Sequence, residues 1–412
     1  MDNLLVIGGG AAGMMAALTA RQMGVGVTLL EAQPRLGRKL LATGNGRCNF
    51  SHMGFCAANY HGRHPRFVMD ALAHFNEADT VAFFEALGVA TTTDERRRYY
   101  PESLQAQAVL DCFRLALEES GVEVCTDTRV TKLRQDKNGL WHLDTTQGKR
   151  TARAVIVATG GETQPKLGGC RDGYKLLGDL GHTMIKTQPA IVQLEGDIAP
   201  LKACVGLKRD MLVRIEANGK RVAQDVGEVL ITKYGISGPP VLQCAGAAVR
   251  GLEKGQKVRA VLSFFPDEDA VSLEERLTRR HQDHPKRKAE AFFVGLLPRM
   301  MAASILKAAG LRPADNLNAA SIRTLSKLLT QFPLTITASR GFNEAQVTQG
   351  GIDTADFSSA TMGSWLASGL YAAGEVLDID GDCGGYNLQW AWSSGHLAAS
   401  EAADYIKQET KR

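Results

Sequence analysis

The chain opens on an apolar run, Leu4-Leu5-Val6-Ile7, with no polar position inside it. Such a run predicts a strand covered on both faces, as in a parallel sheet. Gly8-Gly9-Gly10-Ala11-Ala12-Gly13 follows at once, and Met14 to Met23 reads as a helix that Gly24 ends. Val25 to Leu30 returns to a strand pattern, closed by Glu31. Strand, glycine loop, helix and strand make one βαβ unit.

Helical spacing recurs from Arg66 to Phe75, with Phe67, Ala71, Leu72 and Phe75 on one side. Asn76 is a predicted N-cap with Asp79 three residues on, and Gly88 ends that helix. Gln105 to Ser120 predicts a third helix, with Gly121 just past its end. From Val122 the period changes to two: Val122, Val124, Val130, Leu133, Trp141 and Leu143 suggest a small antiparallel meander. It runs into Val155-Ile156-Val157-Ala158-Thr159-Gly160-Gly161. Asp172 to Gly181 predicts a helix with His182 beyond its end, where a cation suits the dipole. Near Pro189 the character shifts, and 193–265 becomes strand-like. Tyr234-Gly235-Ile236-Ser237-Gly238-Pro239-Pro240 is a sharp loop opening a helix, since Pro suits a first turn. It reads equally as cleft lining or as a plain turn. Met300–Ala309 and Ala319–Leu329 predict helices. A segment from Thr361 ends as a strand on Leu370-Tyr371-Ala372-Ala373-Gly374-Glu375, and Gly384-Gly385 precede a last helix.

Composition narrows the class. A length of 412 residues suggests two to three domains. Hydrophobic residues at 44% and charged residues at 22% exclude a disordered chain. A net charge of +4 is too mild to argue for nucleic acid or a membrane surface. Leu4 to Ala20 is uncharged but short and broken by glycines, so no membrane span is expected. Met1-Asp2-Asn3 lacks the cationic flank of a signal peptide. The eight cysteines (Cys48, Cys56, Cys112, Cys125, Cys170, Cys204, Cys244, Cys383) form no CxxC pair and read as cytoplasmic thiols. Asp378, Asp380 and Asp382 lack the spacing of a calcium loop, so no metal is expected.

The excess of glycine, 43 residues, carries the candidate chemistry. Gly8, Gly10 and Gly13 fit GxGxxG: one for the turn, one for backbone approach to a pyrophosphate, one for close helix packing. The helix N-terminus adds free N–H donors. Glu31 stands where a carboxylate accepts from ribose hydroxyls. A structural glycine turn would leave Glu31 unexplained, so a dinucleotide site is predicted. Gly37-Arg38-Lys39 puts two cations beside it, and Thr43-Gly44-Asn45-Gly46-Arg47-Cys48-Asn49 reads as a loop that wraps a ligand.

These stretches, with Ala158-Thr159-Gly160-Gly161, Tyr234-Gly235-Ile236-Ser237-Gly238-Pro239 and Gly374-Glu375-Val376-Leu377-Asp378, resemble one group over nearly the whole chain. It is the family of bacterial NAD(P)/FAD-dependent oxidoreductases that includes bile-acid dehydro-steroid reductase and aminoacetone oxidase flavoproteins. The resemblance implies an α/β fold: a Rossmann-like, glutathione-reductase-type FAD-binding domain with an inserted β-barrel-like domain and a small helical domain. The expected limits are 1–192 plus 342–412 for the FAD domain, 193–275 plus 331–341 for the β-rich insert, and 276–330 for the helices. By motif matching, Gly13, Glu31, Arg38, Lys39, Val130, Glu375, Asn387 and Leu388 should touch FAD. Gly8, Gly10, Ala12, Gly46, Thr159, Gly160, Gly374 and Gly385 complete the predicted cofactor-binding set. Two positions depart from the family pattern, Lys233 where His is frequent and Gln349 in Thr348-Gln349-Gly350-Gly351.

The leading functional expectation is a reductase: NAD(P)H reduces FAD, and hydride then passes to an activated C=C of a small molecule. No second GxGxxG follows a strand, so NAD(P)H would be a transient co-substrate. Tyr386, Lys233, Tyr234 and Cys48 are the candidate catalytic residues, with Cys48 favoured as a buried structural thiol. One alternative is an oxidase of an amine or amino ketone using oxygen. Another is an RNA-binding or RNA-modifying flavoprotein, resting on the basic stretch 276–290; a solvated helical surface is the favoured reading there, so a nucleic-acid partner is not expected. Oligomeric state and substrate identity are not legible.

Overall fold

The computed structural model describes residues 2–411 and divides them into two compact units. Residues up to 188 and from 346 onward form one, and residues 189–345 form the other.

In the first unit the opening strand, Asp2–Ile7, lies parallel between Val27–Leu30 and Gly148–Val157. Helices or loops cover both faces, and Leu4, Leu5 and Val6 are fully buried. The sheet runs Glu123–Cys125, Val27–Leu30, Asp2–Ile7, Gly148–Val157, Trp141–Thr145, Val130–Gln135. Gly148–Val157 does two things: residues 148–152 pair antiparallel with Trp141–Thr145, while 155–157 pair parallel with Leu370–Ala372. The predicted meander is therefore an extension of the main sheet. Helix Ala11–Gln22 packs against the long last helix, Tyr386–Lys411, through small residues. A Cβ on Gly395 would come within 2.5 Å of the Ala12 carbonyl oxygen. The Asn76 cap is present: its side chain accepts from the backbone N–H of Ala78 and Asp79, and Asp79 reciprocates. Gly121 ends helix Ala106–Ser120 at φ 71°.

Two small sheets have no counterpart in the sequence pattern. Ser51–His52 pairs with Arg98–Pro101, which pairs with Thr91–Thr93; Tyr60–His61 pairs with Asp380–Gly381. Strands of two to four residues carry too few positions to show a period.

The second unit is a closed barrel in the order Leu194–Gly196, Gly235–Ser237, Lys220–Ile231, Lys208–Ala217, Val258–Ser263, Phe332–Ser339. Alternation is strict along Lys208–Ala217, where Met211, Val213 and Ile215 are fully buried. The barrel closes on glycines. A Cβ on Gly235 would sit 2.0 Å from the Leu194 carbonyl oxygen, and one on Gly238 2.1 Å from that of Glu228. Of the two readings of this loop, the glycines thus serve strand crossing and the turn. Pro239 opens helix Pro239–Glu253. Helices Ala270–Asp283, Arg299–Ala308 and Ala319–Thr330 bury Leu273, Leu277, Ile305 and Leu325 in the same core as the barrel.

Candidate functional site

The first turn of the Rossmann unit separates its glycines by role. Gly8, at φ 106°, abuts the Ala158 carbonyl, where a Cβ would come within 2.5 Å. A Cβ on Gly13 would lie 1.8 Å from the Gly8 carbonyl oxygen. At Gly10 a Cβ would meet nothing within 4 Å. The outer two are demanded by packing, and the middle one borders open space at the start of the Ala11–Gln22 helix. Ala12 is buried beside it. Gly9 was not singled out by the GxGxxG pattern, yet a Cβ there would strike Leu36 at 2.3 Å and approach Glu31 Oε2 at 3.1 Å. The only sequence sign of it is the run of three glycines.

Glu31 closes its strand with both oxygens engaged: Oε2 accepts from Gly9 N at 2.6 Å and Oε1 from Gln33 N at 2.7 Å. Burial raises its pKa, and those hydrogen bonds oppose the rise. Arg38 donates to the Gln33 side chain and, at 2.8 Å, to the Lys166 carbonyl. Lys39 Nζ lies between Thr163 Oγ1 at 2.7 Å and Glu375 Oε2 at 2.8 Å.

Glu375 is a hub that spacing could not reveal. Besides Lys39 it accepts from Gly161 N at 3.3 Å and from Thr348 N at 2.6 Å. It thus ties the Thr159-Gly160-Gly161 turn to Thr348-Gln349-Gly350-Gly351. Gln349 donates to Gln188 Oε1 at 3.2 Å. Gly160, at φ 71°, leaves its Cβ direction 3.8 Å from Glu375 Oε2. The Thr159 hydroxyl is buried without a partner. Gly374, at φ 74°, donates its N–H to Ser394 Oγ at 2.9 Å. Val130 is buried at the start of its strand.

The loop before Phe50 takes an unusual backbone. Gly44, Asn45, Gly46 and Cys48 all have positive φ, at 56°, 55°, 80° and 56°. Cys48 is buried, and burial pushes its thiol up to about 12, so it is a protonated, packed group. Asn49 is buried with its Oδ1 unpartnered, and a Cβ on Gly385 would sit 2.8 Å from that oxygen. Gly385 leads into the last helix. Asn387 spends its side chain on the adjoining loop, accepting from Gly381 N and donating to Gly381 O, both at 2.8 Å. Leu388 is half-buried on the next position.

Tyr386 stacks on His52, ring centroids 4.7 Å apart, with Phe55 and Tyr60 edge-on at 6.1 Å. The Tyr60 hydroxyl donates to the Tyr386 carbonyl at 3.3 Å. The other two candidate catalytic residues lie in the barrel unit. Lys233 is exposed there, and Tyr234 lies under the Arg340 guanidinium at 4.7 Å. His182 contacts the Leu177 carbonyl at 2.9 Å and Ser364 Oγ at 2.8 Å, and burial lowers its pKa. It caps a helix end as predicted, but as a buried ring rather than as a free cation.

Among the described residues no helix is long and apolar enough to cross a membrane. Residues 2–401 match the model of the HI0933-like protein Rossmann domain. The chain is 36% identical over 411 residues to 3-dehydro-bile acid delta(4,6)-reductase of Clostridium scindens, covering 98% of this chain and all of the other. It is 30% identical over 405 residues to ribosomal RNA dihydrouridine synthase of Escherichia coli, covering 97% of each. The fold matches that of 3-ketosteroid delta1-dehydrogenase from Sterolibacterium denitrificans, with a TM-score of 0.51 at 12% identity over 98% of this chain and 99% of that one. The chain belongs to the HI0933-like Rossmann family, as an oxidoreductase with a Rossmann-type FAD-binding fold.

Proposed function

We propose that FAD is the resident cofactor and that the chain reduces a C=C bond conjugated to a carbonyl, NAD(P)H being the reductant. The observation that carries this reading is the full-length 36% identity to a reductase of dehydro-bile acids. The residues fit the cofactor. The open space at Gly10 suits a pyrophosphate against helix N–H groups, and the unpartnered Thr159 hydroxyl and Asn49 Oδ1 are buried groups that a polar ligand can satisfy.

When bound, FAD supplies the hydride. The chain's own residues bind and orient. Glu31 keeps lone pairs for ribose hydroxyls while its backbone bonds hold it in place. Lys39, anchored by Thr163 and Glu375, offers a cation to the phosphates, and Arg38 a second. The last helix begins at Tyr386 beside Gly385 and presents its positive end to developing negative charge.

A second reading is favoured by the full-length relative that acts on ribosomal RNA. Uridine and a 4-en-3-one steroid share one feature, a C=C in conjugation with a carbonyl, so one chemistry serves both. The expectation of no nucleic-acid partner loses its force for this reason. The basic stretch gives little further support. Arg276 pairs with Glu268, Arg280 holds the Phe292 and Val294 carbonyls, and Lys288 holds Asn316.

The test is anaerobic. The purified yellow protein is mixed with NADH or NADPH while the flavin band is followed. A 4-en-3-one steroid or an unmodified ribosomal RNA fragment is then added. Bleaching followed by recovery with the steroid, and not with RNA, is the expected result. Recovery with RNA alone transfers the chemistry to the second reading. A chain that retains no FAD overturns both.

A further inference from the structure

Tyr386 was one of four candidate catalytic residues, and its surroundings set it apart from the others. His52 Nδ1 lies 2.9 Å from the Met53 carbonyl oxygen. A carbonyl only accepts, so Nδ1 carries the hydrogen. The same Nδ1 lies 3.3 Å from the Tyr386 hydroxyl, so the hydroxyl cannot donate to it and is at most the weaker acceptor of a hydrogen shared with the Met53 carbonyl. The hydroxyl hydrogen of Tyr386 is left over, and the described residues offer it no other acceptor. Stacking at 22° between the two rings and the edges of Phe55 and Tyr60 fix the phenol in place. Gly384 adjoins the pair: a Cβ there would have the Arg98, Tyr386 and His52 side chains as its nearest neighbours, at 3.7 to 3.9 Å, in ordinary van der Waals contact.

We infer that Tyr386 is the proton donor of the reduction and that His52 is its positioning residue, a donor that steadies the phenolate left behind. The inference rests on the proposed C=C reduction. In that reaction hydride and its two electrons arrive at the β carbon from the reduced cofactor, which is oxidised. The C=C π bond breaks, and the α carbon takes the Tyr386 proton. The phenolate then regains a proton from water, while the His52 Nδ1–H keeps its hydrogen and holds the oxygen. Burial, and after it Asp382 and Cys56, raises the phenol's pKa, so it is protonated at neutral pH. Arg97 opposes that rise.

The test compares wild type with Tyr386→Phe and His52→Gln, each with FAD bound. Flavin reduction by NAD(P)H should change less than about twofold in both variants. Reoxidation by a 4-en-3-one steroid should fall about 10²–10⁴-fold in Tyr386→Phe, the range of a lost general acid. It should fall about tenfold in His52→Gln, the scale of one net hydrogen bond. In D2O the wild-type product should carry deuterium on one face of the α carbon, and that selectivity should vanish in Tyr386→Phe. A separate readout needs no turnover. 4-Nitrophenol, an enolate mimic, is titrated into the cofactor-free chain through its own absorbance, and Tyr386→Phe should weaken its binding about tenfold, again one hydrogen bond. Reoxidation within threefold of wild type with unchanged deuterium placement overturns the inference. If Tyr386→Phe does not retain FAD, the His52→Gln rate and the nitrophenol titration decide, and wild-type behaviour in both overturns it. A wild type that reduces no enone fails the proposed function instead, a distinct outcome.

Discussion

The two units bury different kinds of side chain. In the barrel unit the buried polar residues are hydroxyls alone, Ser263, Ser304, Ser326 and Thr330, set among Val, Ile, Leu and Phe. The Rossmann unit buries Asn49, His182, Gln349, Asp353, Asp378 and Gln389. Burying a carboxylate is costly unless it is paired. Here Asp353 takes Arg63 at 2.9 Å and Asp378 takes the Arg63 N–H at 2.8 Å. His182 and Gln389 spend their polar atoms within the fold, whereas the buried Asn49 Oδ1 has no partner. The barrel core is thus filled by shape, and the Rossmann unit adds buried polar groups, part of which hold the fold.

The glycine turn breaks or sustains this contrast most strongly. Gly13→Ala forces a Cβ into the Gly8 carbonyl and should cost about 3 kcal/mol or more, with loss of FAD. Gly10→Ala should leave the cofactor-free chain within about 0.5 kcal/mol of wild type, because its Cβ enters open space. It should nevertheless lose FAD. Denaturant titration and the ratio of flavin to protein absorbance measure both, and equal stability losses would remove the distinction between packing and ligand glycines.

The barrel gives the converse. Ile215→Ala empties a fully buried position and should cost about 2–5 kcal/mol, with the FAD ratio of the folded fraction unchanged. A selective loss of flavin at constant stability would give the barrel a cofactor role it is not assigned.

A smaller effect is expected at the hub. Lys39→Met leaves Glu375, which is 20% exposed, without its cation, but with two backbone donors in place. The expected cost is about 1–2 kcal/mol, reduced by solvent screening, with a larger drop in FAD retention.

The smallest concerns pH. Glu31 has a folded-state pKa raised above the ordinary value, so between the two the folded chain binds more proton than the unfolded one. Stability of the cofactor-free chain should thus fall as pH rises from the ordinary carboxylate range through the raised value. Glu31→Gln should flatten that slope, measured as Tm against pH. A slope unchanged by the substitution would place its origin elsewhere, with Asp378, also raised by burial, as the next group to replace.

Much of the first unit was legible because its signals are local. The run Leu4–Ile7, the glycine spacing and the Asn76 cap each lie within a few residues. The site's decisive contacts are not local. Lys39 and Glu375 stand 336 residues apart, and His52 and Tyr386 stand 334 apart. No periodicity links such pairs; only the sheet brings them together. Tyr234-Gly235-Ile236-Ser237-Gly238 shows the opposite failure. Its local pattern allowed a cleft or a turn, and only the Leu194 and Glu228 carbonyls showed which constraint the glycines obey.

The placement of Leu370–Ala372 beside Gly148–Val157 has a consequence for biosynthesis. A ribosome delivers the whole barrel before the segments that complete the older sheet. The Ala11–Gln22 helix has no Gly395 to pack on until the barrel has been made. The barrel, continuous in sequence, can consolidate while the nascent amino-terminal half is still waiting. A truncation before residue 370 is therefore expected to spare the barrel and forfeit the flavin.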